Sequence, residues 1–369
     1  MGKRHLIIAG KPLATAQMCH KSDPTLRQVA SSISPTMKSL ITPGDKTVAL
    51  LEVADPVPVA GEILVAPIYA GVCATDIEVI NGELDPDFVV YPATLGHEWC
   101  GRVVGHGPGV SKPAIGSRIV VTGLVPCSTC FECLAGATNR CLTYSEIGFT
   151  RPGAAAELVT VPAFLAHVVA DSVSNETAVL AEPTAVVTQA FTNANPKPGA
   201  TILIVGDGTI AMIAASLAKT FQPSLVHMLG LKPGQAEMAK RAGVDQFLTE
   251  PTEQKYDIII EAAGSMERIT GAIKQLNRGG TLVLVGYTGF GNMTPIMVDN
   301  VINGEIKILG SFASTVKAWA TAVGLMNSGK LDLSYLVTHK FPLADFAQAI
   351  DALKNAPAPR GKVALVISA

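Results

Sequence analysis

The pattern of hydrophobic and polar positions changes near residue 200. From Met37, short β-rich runs alternate with turn residues, as in Thr47–Val53, Glu62–Pro67 and Ser117–Val121. From Thr201 the order becomes apolar strand, glycine turn and helix, repeated through ILIV-GDG, LVHML-GLKPG, DIII-EAAG and TLVLVG. The first pattern predicts a compact β-rich domain. The second predicts a parallel sheet covered by helices.

The pattern changes again after about Ser314. Amphipathic helical stretches occupy Val316–Asn327 and Leu343–Lys354, and strands are predicted near Val337 and at Lys362–Ile367. We expect this last part of the chain to fold back onto the first domain.

The length of the chain favours two domains, because a single hydrophobic core rarely grows to 369 residues. The hydrophobic fraction of 48% with only 16% charged residues is typical of a compact protein with a buried sheet. The predicted divisions are an N-terminal extension (1–36), a catalytic domain (37–184 and 315–369) and a dinucleotide-binding domain (185–314).

The charge pattern points to a small-molecule partner. A formal net charge of -2 gives no general attraction to nucleic acid or to anionic lipid, so neither is expected as a partner. The most apolar stretch, Thr201–Ala218, contains Asp207 and is followed by Lys219, which predicts a buried strand and helix instead of a membrane span.

Residues 1–36 are basic, with five Lys or Arg residues against the single acid Asp23. This segment is interpreted as a flexible extension, with an organelle-targeting segment, mitochondrial or other, as the alternative. Cytoplasmic localisation is predicted, since the crowding of cysteines suits a metal in a reducing compartment better than disulfides.

Four cysteines lie within one short segment. They have the spacing C-x2-C-x2-C-x7-C and predict a closed tetrahedral zinc site of structural type; they are Cys127, Cys130, Cys133 and Cys141. The alternatives are unliganded thiols, a disulfide pair, an iron–sulfur cluster and a freestanding zinc-finger module. A zinc finger is disfavoured because no basic helix follows the cysteines.

A second group of metal-binding residue types comes earlier in the chain. GVCATD presents Cys73 in a turn, and LGHE supplies His97 and Glu98 about 24 residues later. Three ligands of mixed type leave a fourth position open, as a catalytic zinc requires. Taken singly, Cys73 and His97 would more often be core residues, but together with the four cysteines they indicate a second zinc.

These segments resemble the zinc-containing medium-chain dehydrogenase/reductase family, which includes sorbitol, threonine, archaeal glucose and secondary alcohol dehydrogenases. The resemblance runs from about Met37 onwards through GVCATD, GHEWCGRVVGHG, the four cysteines, LAEPTAV, VGDGTIA and GKVALVIS. It implies an α/β protein with a GroES-like β-rich catalytic domain and a Rossmann domain, a doubly wound parallel sheet. It also implies a homodimer or homotetramer.

The resemblance further implies site roles. Cys73 and His97 correspond to catalytic zinc ligands, and Glu98 to a third or intermittent ligand. Glu182 corresponds to a glutamate that holds zinc-bound water or binds the metal, although a carboxylate stabilised by a helix N-terminus is the alternative. Thr75 corresponds to the hydroxyl that passes on the alcohol proton, with Asp76 in support. The family often has a histidine where this chain has Glu78, which alters the expected proton path.

A glycine turn predicts the dinucleotide site. The segment has the form G-x-G-x-x-A after an apolar strand and before a helix, which suits a pyrophosphate; the predicted contacts are Gly206, Gly208, Thr209, Ile210 and Ala211. The usual ribose-binding acid is missing, because no Asp or Glu lies between Asp207 and Glu237. Gly230-Leu231-Lys232 stands where that acid is expected, so NADP(H) is favoured over NAD(H).

The sequence therefore predicts a zinc-dependent, NAD(P)-dependent alcohol or polyol dehydrogenase acting on secondary CH-OH groups, with one catalytic and one structural zinc. Two alternatives keep the fold: a threonine-type amino-alcohol dehydrogenase and a zinc-independent biosynthetic reductase. A third alternative is a catalytically idle zinc- and nucleotide-binding protein.

Overall fold

The computed structural model describes residues 35–289 and 291–368. Residues 1–34 of the basic N-terminal segment lie outside these residues, so its interpretation as a flexible extension, with a targeting segment as the alternative, stays a prediction. No helix of the described part is both long and apolar enough to cross a membrane.

The described strands form four sheets. Their bounds are Thr36–Thr42 (β1), Ala49–Ala54 (β2), Glu62–Val72 (β3), Ala93–Thr94 (β4), Glu98–His106 (β5), Arg118–Val121 (β6), Leu124–Val125 (β7), Ser145–Glu146 (β8), Val159–Pro162 (β9), Ala166–Val168 (β10), Thr201–Val205 (β11), Leu225–Leu229 (β12), Gln246–Leu248 (β13), Tyr256–Glu261 (β14), Leu276–Leu284 (β15), Lys307–Gly310 (β16), Val337–Pro342 (β17) and Lys362–Val366 (β18).

The described α-helices are Ala74–Asn81 (α1), Phe131–Leu134 (α2), Asn175–Ala178 (α3), Ala181–Ala194 (α4), Thr209–Ala218 (α5), Ala236–Arg241 (α6), Met266–Lys274 (α7), Val298–Gly304 (α8), Val316–Asn327 (α9) and Phe346–Asn355 (α10).

The β-rich part is built around β3. Its sheet has the order β10-β6-β5-β3-β18-β17, with β9 also paired to β3. Both β5 and β18 run antiparallel to β3. The end of β3 and the beginnings of β5 and β18 therefore meet at one edge of the sheet, which gathers residues that are far apart in sequence.

The second large sheet is parallel throughout, in the order β13-β12-β11-β14-β15-β16. This is the strand order of a doubly wound dinucleotide-binding fold, as the sequence pattern predicted. The apolar stretch Thr201–Ala218 is strand β11 followed by helix α5 and not a span. Apolar runs such as Ile258–Ile260 are buried because helices cover the sheet.

The segment after Ser314 contributes to two hydrophobic cores. Helix α9 has the predicted bounds and buries Trp319, Ala322, Val323 and Met326, at helical spacing, in the core that also contains β11. The buried residues of α10 and β18 belong instead to the core of the β-rich part. The tail thus packs in both cores, and its assignment to the catalytic domain, with the boundary at residue 315, stays a prediction.

Candidate active site and metal-binding lobe

Cys73, His97 and Glu98 come together at the edge of the sheet where β3 ends and β5 begins. Cys73 stands between β3 and α1, and Glu98, the first residue of β5, is paired with Gly71 of β3. One ligand atom from each of the three side chains lies within 4.8 Å of the others. We call these three residues the mixed-ligand cluster. Thiol, imidazole and carboxylate form a donor set that zinc accepts, so the residues fit a catalytic metal.

Asp76 orients two members of the mixed-ligand cluster. Its carboxylate accepts a hydrogen bond from the backbone N–H of Cys73 at 2.8 Å and lies 3.4 Å from Nδ1 of His97. Burial opposes the charged imidazolium, but the Asp76 carboxylate outweighs it and raises the pKa of His97. With Nδ1 turned to Asp76, Nε2 faces Glu98 at 3.9 Å and is the nitrogen available to a metal.

Lys362 is a charged member of the site that the sequence did not single out. It begins β18, is buried, and forms an ion pair with Glu98, which is also buried. Its ammonium also donates to the carbonyl of Val72 at 3.3 Å. Burial opposes the ammonium, but the Glu98 charge raises the pKa of Lys362 above its usual value. A lysine opening an otherwise apolar strand was the available signal, because unpaired lysines are rarely buried.

Two further carboxylates lie close to the mixed-ligand cluster. Glu182, in the first turn of α4, lies outside the group of three donor atoms. Burial and then the charge of Glu98 raise the pKa of Glu182 to about 7. Burial also raises the pKa of Glu146, at the end of β8, to about 7, against the opposing charge of His97. Glu146 was not predicted, since nothing in its local sequence indicates that it lies near His97.

The predicted proton-relay hydroxyl lies beside the cluster. Oγ1 of Thr75 is 3.7 Å from the sulfur of Cys73. Glu78, at the position of the family's frequent histidine, is exposed on α1. Aromatic packing is supplied by Phe149, whose ring centre is 5.1 Å from that of His97.

The four predicted lobe cysteines are also brought together. One sulfur from each lies within 4.8 Å of the others, and we call this group the cysteine lobe. The backbone N–H of Cys130 donates to the sulfur of Cys127 at 3.3 Å, and the N–H of Cys127 donates to the sulfur of Cys141 at 3.4 Å. These four donors fit a closed tetrahedral zinc site. The described cysteines, which include the lobe, form no disulfide.

The glycine turn stands at the carboxyl end of β11. Gly206 has a φ of +120° and its N–H donates to the carbonyl of Leu229 at 2.8 Å. An added Cβ would also lie 3.2 Å from Ala262, so only glycine fits. A Cβ at Gly208 would meet only open space. Thr209, Ile210 and Ala211 form the first turn of α5, whose N–H groups face that space, and this cradle fits a pyrophosphate.

The neighbouring strand β12 ends beside this turn. Gly230, Leu231 and Lys232 follow β12, as the sequence indicated, and Leu231 and Lys232 are exposed. Both of these backbone N–H groups donate to Oδ2 of Asp207, each at 2.8 Å. Asp207 therefore joins the turn to the end of the second strand, a role that its position between two glycines did not reveal.

Gln235 ties the same turn to the chain segment that precedes β18. Its amide donates to the carbonyls of Asp207 and Arg360, both at 2.8 Å, and accepts from the backbone N–H of Arg360, also at 2.8 Å. Because Arg360 is two residues from Lys362, the dinucleotide turn and the mixed-ligand cluster are linked through a short piece of backbone.

Two family models match the chain, one in each part. The model described as alcohol dehydrogenase GroES-like domain matches residues 59–171, and that described as zinc-binding dehydrogenase matches residues 209–328. The GroES-like and Rossmann assignments of the fold are thereby confirmed.

Curated relatives are similar over nearly their whole length. L-galactonate-5-dehydrogenase of Escherichia coli K12 is 29% identical over 345 residues, which are 89% of this chain and 99% of the relative. L-threonine 3-dehydrogenase of Alteromonas mediterranea is 28% identical over 352 residues, with the same shares of the two chains.

Solved structures have the same fold. A zinc-binding dehydrogenase from Sinorhizobium meliloti 1021, bound to NADP, superposes with a TM-score of 0.84 at 26% identity, covering 90% of this chain and 100% of that one. Galactitol-1-phosphate dehydrogenase of Escherichia coli gives a TM-score of 0.81 at 27% identity, with the same coverage. The chain thus belongs to the zinc-containing medium-chain dehydrogenase/reductase family of oxidoreductases.

Proposed function

We propose that the protein is a zinc-dependent dehydrogenase that transfers hydride between a secondary alcohol or polyol and a nicotinamide dinucleotide. The observation that carries this proposal is the mixed-ligand cluster, whose three donor atoms lie within 4.8 Å of one another. The curated relatives named as dehydrogenases of L-galactonate and L-threonine support the reaction class.

The residues of the chain have distinct roles in this proposal. Cys73, His97 and Glu98 hold the metal, and Glu182 either orients water beside it or replaces Glu98. When bound there, zinc acts as a Lewis acid that makes an alcohol easier to deprotonate. Oγ1 of Thr75 accepts the alcohol proton and passes it towards solvent, because it is the hydroxyl beside the ligand thiol. The cysteine lobe binds a second, structural zinc.

The turn from Gly206 to Ala211 holds the pyrophosphate, and the nicotinamide, the hydride carrier, then extends towards the mixed-ligand cluster. NADP(H) is favoured over NAD(H) because Lys232, exposed after β12, can pair with a 2'-phosphate. The relative bound to NADP supports this preference.

A homodimer or homotetramer in the cytoplasm is part of the proposal. Strand β16 is an edge strand of the parallel sheet, and an exposed apolar surface lies before it; its residues are Met293, Met297, Val298 and Ile302. Edge strands and apolar patches of this kind suit contact with another copy. The unpaired state of the described cysteines supports a reducing compartment.

An amino-alcohol substrate is a second candidate, favoured by the charges near the site. Besides burial, the charges of Glu146 and Glu78 act on the hydroxyl of Tyr287 and raise its pKa. The charge of Glu146 acts in the same way on Tyr144. Carboxylates near the mixed-ligand cluster suit a substrate that carries an ammonium group better than one that carries a carboxylate or phosphate.

The proposal is tested by elemental analysis of the purified protein together with a substrate panel. Two zinc ions per chain and NADP-dependent oxidation of polyols or secondary alcohols are expected. Oxidation confined to amino alcohols would favour the second candidate. A single zinc that resists mild chelation, with carbonyl reduction retained, would contradict zinc catalysis and favour a zinc-independent reductase.

A further inference from the structure

The sequence has no acidic residue directly after β12, but the carboxylate of Asp207, in the glycine turn, lies at the end of that strand. In dinucleotide-binding folds, an acid at the end of the second strand binds the adenosine ribose. No Asp or Glu lies between Asp207 and Glu237, so that acid is absent from the strand. Yet Oδ2 of Asp207 accepts hydrogen bonds from the N–H groups of Leu231 and Lys232, which follow β12 directly.

The approach of Asp207 to this loop is close and depends on glycine. A Cβ added at Gly230 would lie 2.7 Å from the Cβ of Asp207 and 2.6 Å from the ring of Phe247, too close for any side chain. Gly230 therefore lets the turn and the strand end come together. The carboxylate is held at the carboxyl edge of the parallel sheet, where the adenosine half of a dinucleotide binds in this fold.

The two oxygens of this carboxylate are used differently. Oδ2 takes both backbone N–H groups, whereas Oδ1 accepts no hydrogen bond from the residues that the structure describes. The side chain is half-buried, so Oδ1 is accessible to a ligand. One oxygen fixes the loop and the other is left for a hydrogen-bond donor.

We propose that Asp207 binds the adenosine ribose by accepting a hydrogen bond from its 2'-hydroxyl, and that it limits the preference for NADP(H). The inference rests on the proposed dinucleotide site. A 2'-phosphate would meet a carboxylate of like charge and two N–H groups that Asp207 already occupies. Lys232, which is exposed in the same loop, would attract the phosphate. Asp207 and Lys232 thus act in opposition, and the chain accepts both dinucleotides.

The experiment is a fluorescence titration of the zinc-loaded protein with NADH and with NADPH, for wild type and Asp207→Asn. The amide oxygen of Asn still accepts the two N–H groups, so the loop keeps its position while the charge is removed. We expect NADH to bind about tenfold more weakly and NADPH at least as tightly as before, because a hydrogen bond to a charged group is worth more than a neutral one.

Asp245→Asn is the matched control. Asp245 also accepts a backbone N–H of β12, that of Val226 at 2.7 Å, but at the opposite end of the strand. It should change neither affinity. Lys232→Gln should shift the ratio of affinities the other way, towards NADH.

Each result decides the question. If Asp207→Asn weakened the binding of NADH and NADPH equally, Asp207 would only position the loop. If the substitution changed neither affinity, the inference would be overturned as well. Failure of the wild type to bind either dinucleotide would instead contradict the proposed function itself.

Discussion

The cysteine lobe and the mixed-ligand cluster use similar donors but are assembled in opposite ways. All four lobe sulfurs come from one segment, Cys127–Cys141, and two of them, those of Cys127 and Cys141, accept hydrogen bonds from backbone N–H groups of the same segment. The mixed-ligand cluster is assembled from the end of β3 and the beginning of β5, with charges from α4 and β18 around it. The lobe is a local structure, whereas the cluster exists only in the complete fold.

The electrostatic surroundings of the two groups differ as well. In the lobe, donors from Thr129 and the N–H of Cys130 lower the pKa of Cys127 to about 5, which favours a thiolate, whereas burial raises the pKa of Cys133 to about 12. Around the mixed-ligand cluster, carboxylates repel one another and Lys362 compensates one of them. On the proposed roles, this is the difference between a site that holds an ion and a site that keeps charges around a reacting centre.

Cys73→Ser should have the largest effect. We expect kcat/KM for alcohol oxidation to fall on the order of 10³-fold, because loss of a Lewis acid costs several kcal/mol of transition-state stabilisation. Zinc content should fall from two to one per chain, measured by elemental analysis. Cys100→Ala, a buried cysteine outside both metal groups, is the control and should keep both ions. Full activity in Cys73→Ser would show that the mixed-ligand cluster is not catalytic.

Lys362→Met tests the ion pair between Lys362 and Glu98, which has no counterpart among the four cysteines of the lobe. Removing one partner leaves the buried Glu98 carboxylate unpaired, so the free energy of unfolding of metal-free protein should fall by about 3 kcal/mol. Urea unfolding measures this change. Lys362→Arg keeps the charge and should recover most of the loss. Equal stability of the Met and Arg variants would argue that the ion pair contributes nothing.

Cys130→Ser tests the local nature of the lobe. One zinc should be lost, and the lobe should open to trypsin at Arg140, which is largely exposed and paired with Glu132. Global stability should fall by only about 1–2 kcal/mol, because few other elements depend on the lobe. Limited proteolysis followed by mass spectrometry locates the cut. Collapse of the whole parallel sheet would contradict a local site.

The smallest effect concerns Cys100, a thiol whose environment is the reverse of that of Cys127. Burial raises the pKa of Cys100 from 9.0 to about 12. After chelation, iodoacetamide at pH 8 should alkylate Cys127 rapidly and leave Cys100 unmodified until the protein unfolds. Because the folded state binds this proton more tightly than the unfolded state, its contribution to stability is present below pH 9 and declines towards pH 12. Equal alkylation of Cys127 and Cys100, seen by peptide mapping at pH 8, would contradict the expected difference in reactivity.

The cysteine lobe and the mixed-ligand cluster also differ in how far they could be predicted from the sequence. The lobe was predictable because its spacing encodes its geometry, and helix α9 was predictable because its apolar positions repeat with helical period. Cys73 and His97 could be singled out only through several motifs taken together. Their spacing does not encode the antiparallel pairing of β3 with β5 that brings them into contact.

The remaining residues could not be predicted from local pattern. Lys362 reaches Glu98 through strand pairing across most of the chain, and Asp207 reaches Leu231 through parallel strands. Each contact depends on the pairing of strands, which the two residues in contact do not themselves determine. Counting residues along the chain from the glycine turn therefore finds no acid near β12, whereas the carboxylate of Asp207 reaches the end of that strand across the sheet.

The position of β18 has a consequence for the order in which the protein forms during synthesis. It lies between β3 and β17 inside its sheet, and Lys362 comes 290 residues after Val72, whose carbonyl it contacts. All strands of the parallel sheet, ending with Gly310, leave the ribosome before β18 does. The nucleotide half can therefore fold while translation continues, but β3 must wait with one open edge until its interior neighbour arrives. We therefore expect the surroundings of the mixed-ligand cluster to be completed only after the parallel sheet has formed.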